Sequence, residues 1–119
     1  MTDMKTYSGG CHCGAVRYEV DMALEQGMSC NCSICTKRGH VLAFAEVGAF
    51  RLQSGEDNLQ DYRFNQHKIA HLFCRTCGVQ SFARGENGAG VPMIGVNLRC
   101  VDGVDLDALP VNRFDGANL

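Results

Sequence analysis

Short extended-looking stretches, separated by glycine-bearing turns, run along the chain. From Ala15 to Val20, Val16, Tyr18 and Val20 fall on one side, with Arg17 and Glu19 on the other. That period of two belongs to a half-buried strand. Val41 to Val47 is nearly continuous in apolar residues and contains Phe44. Leu59 to Phe64 sets Leu59 on one face and Tyr62 and Phe64 on the other, where the two aromatics read as core. Ile69 to Phe73 and Gln80 to Arg84 flank a cysteine turn like the arms of a hairpin, and Val91 to Leu98 reads as a further buried strand. Helix signals are poor. Met22 to Met28 suits a turn, and Ser33 to Lys37 suits a single helical turn that draws nearby cysteines together. The segment from Val101 to Leu119 is polar and turn-rich, and is expected to wrap the surface. Short strands between turn signals predict a mainly β fold of several short antiparallel sheets.

The length, 119 residues, suits one domain over residues 1–119, and a hydrophobic content of 45% supports a modest core. Net charge is −2, with lysine and arginine scattered. That balance argues against a nucleic-acid partner, which calls for a basic patch. The opening Met1-Thr2-Asp3-Met4-Lys5 has no apolar signal region. No stretch approaches the ~20 apolar residues of a membrane helix. A soluble cytoplasmic protein without a membrane partner is expected.

Against that background eight cysteines stand out, because a reducing compartment keeps thiols free and close spacing then points to metal or redox chemistry. They fall into Cys11 and Cys13, then Cys30, Cys32 and Cys35, then Cys74 and Cys77, with Cys100 alone. Zinc takes four ligands in a tetrahedron. Cys74-Arg75-Thr76-Cys77-Gly78 has the form of a zinc knuckle, with glycine supplying a left-handed turn. Cys11 and Cys13 are its natural partners, since they complete four ligands and leave the triplet intact. A redox dithiol is the competing reading of Cys74 and Cys77, though no βαβ pattern surrounds them.

Cys30, Cys32 and Cys35 can share one ion and leave its fourth position open, the mark of a reactive site. Zn²⁺ with three thiolates carries net negative formal charge. It is therefore better suited to holding an incoming thiol as its thiolate than to activating water. The competing reading is a second structural site closed by Cys100, His12 or His40. Cys100 otherwise reads as a small buried hydrophobe. His40 could shuttle protons, with a solvated loop histidine as the plainer reading. His12, His67 and His71 are ambiguous, although His71 shares a strand face with Phe73, opposite Cys74, and so points away from that cysteine.

Ser8-Gly9-Gly10-Cys11-His12-Cys13-Gly14, with Val16 and Tyr18, resembles the opening motif of the glutathione-dependent formaldehyde-activating enzyme family, which also contains centromere protein V. Cys30-Asn31-Cys32-Ser33-Ile34-Cys35 resembles its middle motif and Phe73-Cys74-Arg75-Thr76-Cys77-Gly78 its third. Val96-Asn97-Leu98-Arg99-Cys100 and Phe114-Asp115-Gly116 resemble its closing segments. The resemblance implies a β-tent of short antiparallel sheets held by zinc. It also implies a structural zinc on Cys11, Cys13, Cys74 and Cys77, and a catalytic zinc on Cys30, Cys32 and Cys35. The implied activity is carbon–sulfur lyase chemistry, forming S-hydroxymethylglutathione from glutathione and formaldehyde. The chromosomal relatives suggest the alternative, a non-catalytic zinc module for a macromolecular partner. His40 stands where members commonly have a small residue.

Overall fold

Among the described residues ten strands and one short α-helix follow one another, and alternation of buried and less buried positions is clearest in the strands at residues 17–22 and 82–86. In the computed structural model, which describes residues 4–64, 69–87 and 89–118, the strands are β1 (Lys5–Gly10), β2 (Arg17–Met22), β3 (Gly27–Cys30), β4 (Leu42–Glu46), β5 (Phe50–Ser54), β6 (Leu59–Tyr62), β7 (Ala70–Cys74), β8 (Phe82–Glu86), β9 (Pro92–Asn97) and β10 (Val111–Phe114). The helix α1 spans Ser33–Arg38. His67 lies outside the described residues. No helix among the described residues is long and apolar enough to cross a membrane.

The strands form a three-stranded sheet, β1-β2-β5, and a seven-stranded sheet ordered β10-β3-β4-β9-β8-β7-β6. Strand β2 alternates as its sequence predicts. Tyr18 and Val20 are buried between half-buried neighbours, while Val16 is buried just before the strand. Tyr18 and Phe50 from the smaller sheet meet Phe82 from the larger one, with ring centroids 4.7 to 6.1 Å apart. Ile94, Val96 and Leu98 complete this core from β9 and the turn after it. Fully burying each such side chain contributes about 1.5–3 kcal/mol, so the interface between the sheets is the main apolar stabiliser of the fold.

The predicted hairpin is present: β7 and β8 pair antiparallel on either side of the cysteine turn. Other expectations need correcting. Residues 22–28 are more than a turn, because β3 begins at Gly27. The segment after Val101 does not merely wrap the surface. Val101 is buried, Val104, Leu106 and Leu109 pack against the core, and β10 pairs in parallel with β3, joining Phe114 to Cys30 in register. Tyr62 is not core but 47% exposed, on the edge strand β6 of its sheet. It stacks instead on Phe64, which stacks in turn on His71.

Candidate metal centres

The first sulfur cluster forms where β7 ends. The Gly78 N–H donates to the Cys74 carbonyl at 2.8 Å and the Cys74 N–H to the Val79 carbonyl at 3.1 Å, closing a tight knuckle. Gly78 takes φ of +79°, a left-handed value that disfavours a side chain. From the other sheet, β1 delivers Cys11, whose N–H donates to the Val16 carbonyl at 3.1 Å. The Sγ atoms of Cys11 and Cys13 are 3.7 Å apart, as are those of Cys13 and Cys74. All four sulfurs, with Cys77, lie within 4.8 Å of one another. Metal–sulfur bonds of ~2.3 Å give a tetrahedron with edges of ~3.8 Å, so the spacing fits zinc.

Local donors also favour thiolate there. The Val16 N–H reaches Cys11 Sγ at 3.3 Å, and Asn58 Nδ2 reaches Cys74 Sγ at 3.4 Å. Burial pushes the Cys77 thiol up, but the backbone N–H groups of Cys13 and Val79, with the Cys11 and Cys74 sulfurs, outweigh it and bring it down to about 6. The Cys74 thiol is lowered chiefly by the backbone N–H of Cys77. The Cys13 thiol moves the other way. The backbone N–H of Ala15 lowers it, but burial and the Cys11, Cys74 and Cys77 sulfurs outweigh that and push it up to about 11, so the knuckle pair is the side of the cluster that favours thiolate.

The second cluster forms where β3 gives way to α1. Cys30 ends the strand, Cys32 precedes the first helical residue, and Cys35 lies in the first turn. The Thr36 N–H donates to the Cys32 carbonyl at 2.9 Å, fixing that turn. The three sulfurs lie within 4.8 Å of one another, and no other residue joins them among those described. Burial raises the Cys32 thiol, yet hydrogen bonds led by the backbone N–H of Cys35 lower it overall. Burial raises the Cys35 thiol, and the neighbouring Cys32 and Cys30 raise it further.

His40 is not a solvated loop residue. It is 4% exposed, with Nε2 3.0 Å from Cys35 Sγ. The backbone on both sides holds it there. Arg99 Nε donates to the Gly39 carbonyl at 2.9 Å, and the Leu98 N–H donates to the Val41 carbonyl at 2.7 Å. Burial first, then the positive charge of Arg38 and the proximity of His71, push its pKa down to about 4. Each of these causes favours the neutral ring. His71 is also buried, and likewise has its pKa lowered by burial and by Arg38, with Asp61 opposing.

The remaining candidates stand apart. His12 is exposed and Cys100 half-buried, and neither belongs to either sulfur group. Burial pushes the Cys100 thiol up to about 11, with the nearby Cys11 and Cys77 adding to the effect.

Cysteine spacing alone gives no hint of the wall beside the triplet. The Asn31 N–H donates to the Phe114 carbonyl at 3.2 Å. Its side chain donates to Asp115 Oδ1 at 2.9 Å and accepts from the Ala117 N–H at 2.9 Å. This clasp lays the Gly116 backbone on the triplet so closely that a Cβ there would lie 2.5 Å from Cys30 Sγ. The one sequence signal was the resemblance carried by Phe114-Asp115-Gly116. Beyond Phe114, a groove of about 630 Å³ runs between β2, β3, β4 and β10, with Met22, Met28 and Phe44 among its lining.

Residues 6–112 match the family model described as glutathione-dependent formaldehyde-activating enzyme. The chain belongs to this family. A crystal structure of a Rhodobacter sphaeroides protein is similar as well, with 34% identity and a TM-score of 0.76 over 88% of this chain and 99% of that one. For a formaldehyde-activating family member, two sulfur clusters that could each hold zinc are the chemically informative part of the molecule.

Proposed function

We propose that this protein is a zinc-dependent carbon–sulfur lyase acting on a thiol adduct, with glutathione and formaldehyde as the substrate pair. The observation that carries the reading is the convergence of Cys30, Cys32 and Cys35, and of no fourth ligand among the described residues. Cys11, Cys13, Cys74 and Cys77 would hold a structural zinc, pinning the knuckle after β7 to the turn after β1. Cys30, Cys32 and Cys35 would hold a catalytic zinc with one position open. Bound there, zinc supplies a soft cation that favours the thiolate form of an incoming thiol.

The residues around the triplet divide the remaining work. The Cys32 N–H, 3.4 Å from Cys30 Sγ, helps stabilise charge on that sulfur. Gly116 and the Asn31 clasp form one wall and hold the Cys30 side in place. In the reaction, the glutathione sulfur adds to the formaldehyde carbon, the carbonyl electron pair moves to oxygen, and that oxygen takes a proton from solvent. The unit is a single domain over residues 1–119, at work in the cytoplasm, where thiols stay reduced.

Replacing Cys32 with serine tests the reading. The variant should fold, lose one zinc of two by native mass spectrometry, and fail to accelerate S-hydroxymethylglutathione formation. On the wild type, zinc-edge absorption should change when glutathione is added. An unchanged sulfur shell, together with no acceleration by the wild type, would instead make the protein a zinc-binding module for a macromolecular partner.

A further inference from the structure

Two sulfurs of the triplet have backbone N–H groups directed at them, and the third faces a histidine ring nitrogen. Cys30 receives the Cys32 N–H and Cys32 receives that of Cys35, both from the backbone of the strand–helix turn. Cys35, the buried member of the three, faces the imidazole of His40 at 3.0 Å. His40 Nδ1 is buried without a hydrogen-bond partner. A proton on Nδ1 would leave a buried donor unsatisfied and turn a lone pair on Nε2 toward sulfur. A proton on Nε2 gives the sulfur a donor and leaves only an acceptor idle, which is the less costly arrangement.

The grouping of ligand atoms separates a donor from a ligand. Nitrogen and sulfur bound to one tetrahedral zinc, with bonds of ~2.0 and ~2.3 Å, would stand ~3.5 Å apart. The observed 3.0 Å is shorter than that separation and brings the two atoms into direct contact. The mutually close ligand atoms at this centre are also those of the three cysteines alone among the described residues.

We propose that His40 is a positioning residue for the reactive centre, donating Nε2–H to the Cys35 sulfur from outside the ligand set. The inference rests on the triplet holding zinc. The hydrogen bond draws charge from one of three thiolates, lowering the repulsion among them and leaving the centre more receptive to a fourth, incoming thiolate. It also fixes the Cys35 rotamer, because His40 is itself held between the backbone anchors at residues 39 and 41.

The test compares zinc-loaded wild type with His40→Phe, which fills the space without a donor, and His40→Gln, whose amide retains one. Competition with a chromophoric chelator should show the second zinc held on the order of 10–100-fold more weakly in His40→Phe. His40→Gln should recover most of that loss, and the four-cysteine zinc should be unaffected in both. A purely space-filling role would show no such rescue. If His40→Phe does not fold, His40→Gln and His40→Met, similar in length and differing in the donor, make the same comparison. Release from the donor-free variant at the wild-type chelator concentration would overturn the proposal. So would a nitrogen neighbour in the wild-type zinc-edge spectrum, which would make His40 a ligand. A wild type that binds a single zinc overturns the reading of the triplet itself. Two zincs with no effect of His40 overturn this inference alone.

Discussion

Gly116 rests against the sulfur of Cys30 so closely that a side chain at position 116 would have to share its place, the added Cβ lying 2.5 Å from Sγ. The obstacle is a sulfur that cannot move without leaving its cluster. Gly116→Ala should therefore displace Cys30 or the clasp beside it. The expected outcome is loss or marked weakening of one zinc by native mass spectrometry, with the strand signal in circular dichroism retained. Asn31→Ala, which removes both side-chain bonds of the clasp, should weaken the same zinc less. Each such bond contributes only about 0.5–1.5 kcal/mol.

Loss of a ligand from the four-cysteine cluster should have a different consequence. Cys74→Ser breaks the tie between the two sheets, and a structural zinc of this kind is associated with apparent binding energies of about 10–16 kcal/mol. The variant should lack a cooperative thermal transition, as should the wild type after exhaustive chelation. A well-folded, zinc-poor Cys74→Ser protein would contradict the structural role.

Phe82 is 0% exposed and contacts the rings of both Tyr18 and Phe50. Truncation to alanine removes the shared surface between the sheets and should cost about 3–5 kcal/mol. That is a large share of the ~5–15 kcal/mol by which a typical domain is stable. Urea unfolding of the zinc-loaded protein would measure it as a fall in midpoint at constant slope.

His71 supplies a pH dependence. Its folded-state pKa lies below the ordinary value of 6.5, with burial and Arg38 as the main causes. An unfolded chain therefore takes up this proton at higher pH than the folded one does. The stabilisation is fully present above pH 6.5 and is lost as pH falls through the folded value. Urea midpoints for the wild type should drop between pH 7.5 and 5.5. His71→Phe, keeping a ring against Phe64 and Tyr62, should lessen that decline, with His40 supplying the remainder.

What the chain reveals in advance depends on how local the cause is. Strand β2 and the β7–β8 hairpin are legible because alternation and a knuckle are written within a few residues. The two sulfur sets are legible for the same reason, since ligand spacing within each turn is short. Strand β10 is not, because all four of its residues, Val111 to Phe114, are exposed. Its existence comes from a parallel partner far away in sequence rather than from an apolar face. His40 reads as an ordinary loop residue until residues 98 and 99 are seen to hold the backbone on either side of it. Gly116 has no side chain to signal anything. Its importance is the absence of atoms where a sulfur sits.

The parallel pairing of β10 with β3 also imposes an order on biosynthesis. Once Cys77 has emerged from the ribosome, every ligand of the four-cysteine cluster is available, and so are the three sulfurs of the triplet. The wall formed by residues 114–117 arrives later, after β8 and β9 have been made. On the proposed assignment, a nascent chain can thus take up its first zinc before residues 114–117 close over the triplet. On the same assignment enclosure of the second centre is a late event, and a chain stopped before Phe114 would lack the wall that Gly116 sets against Cys30.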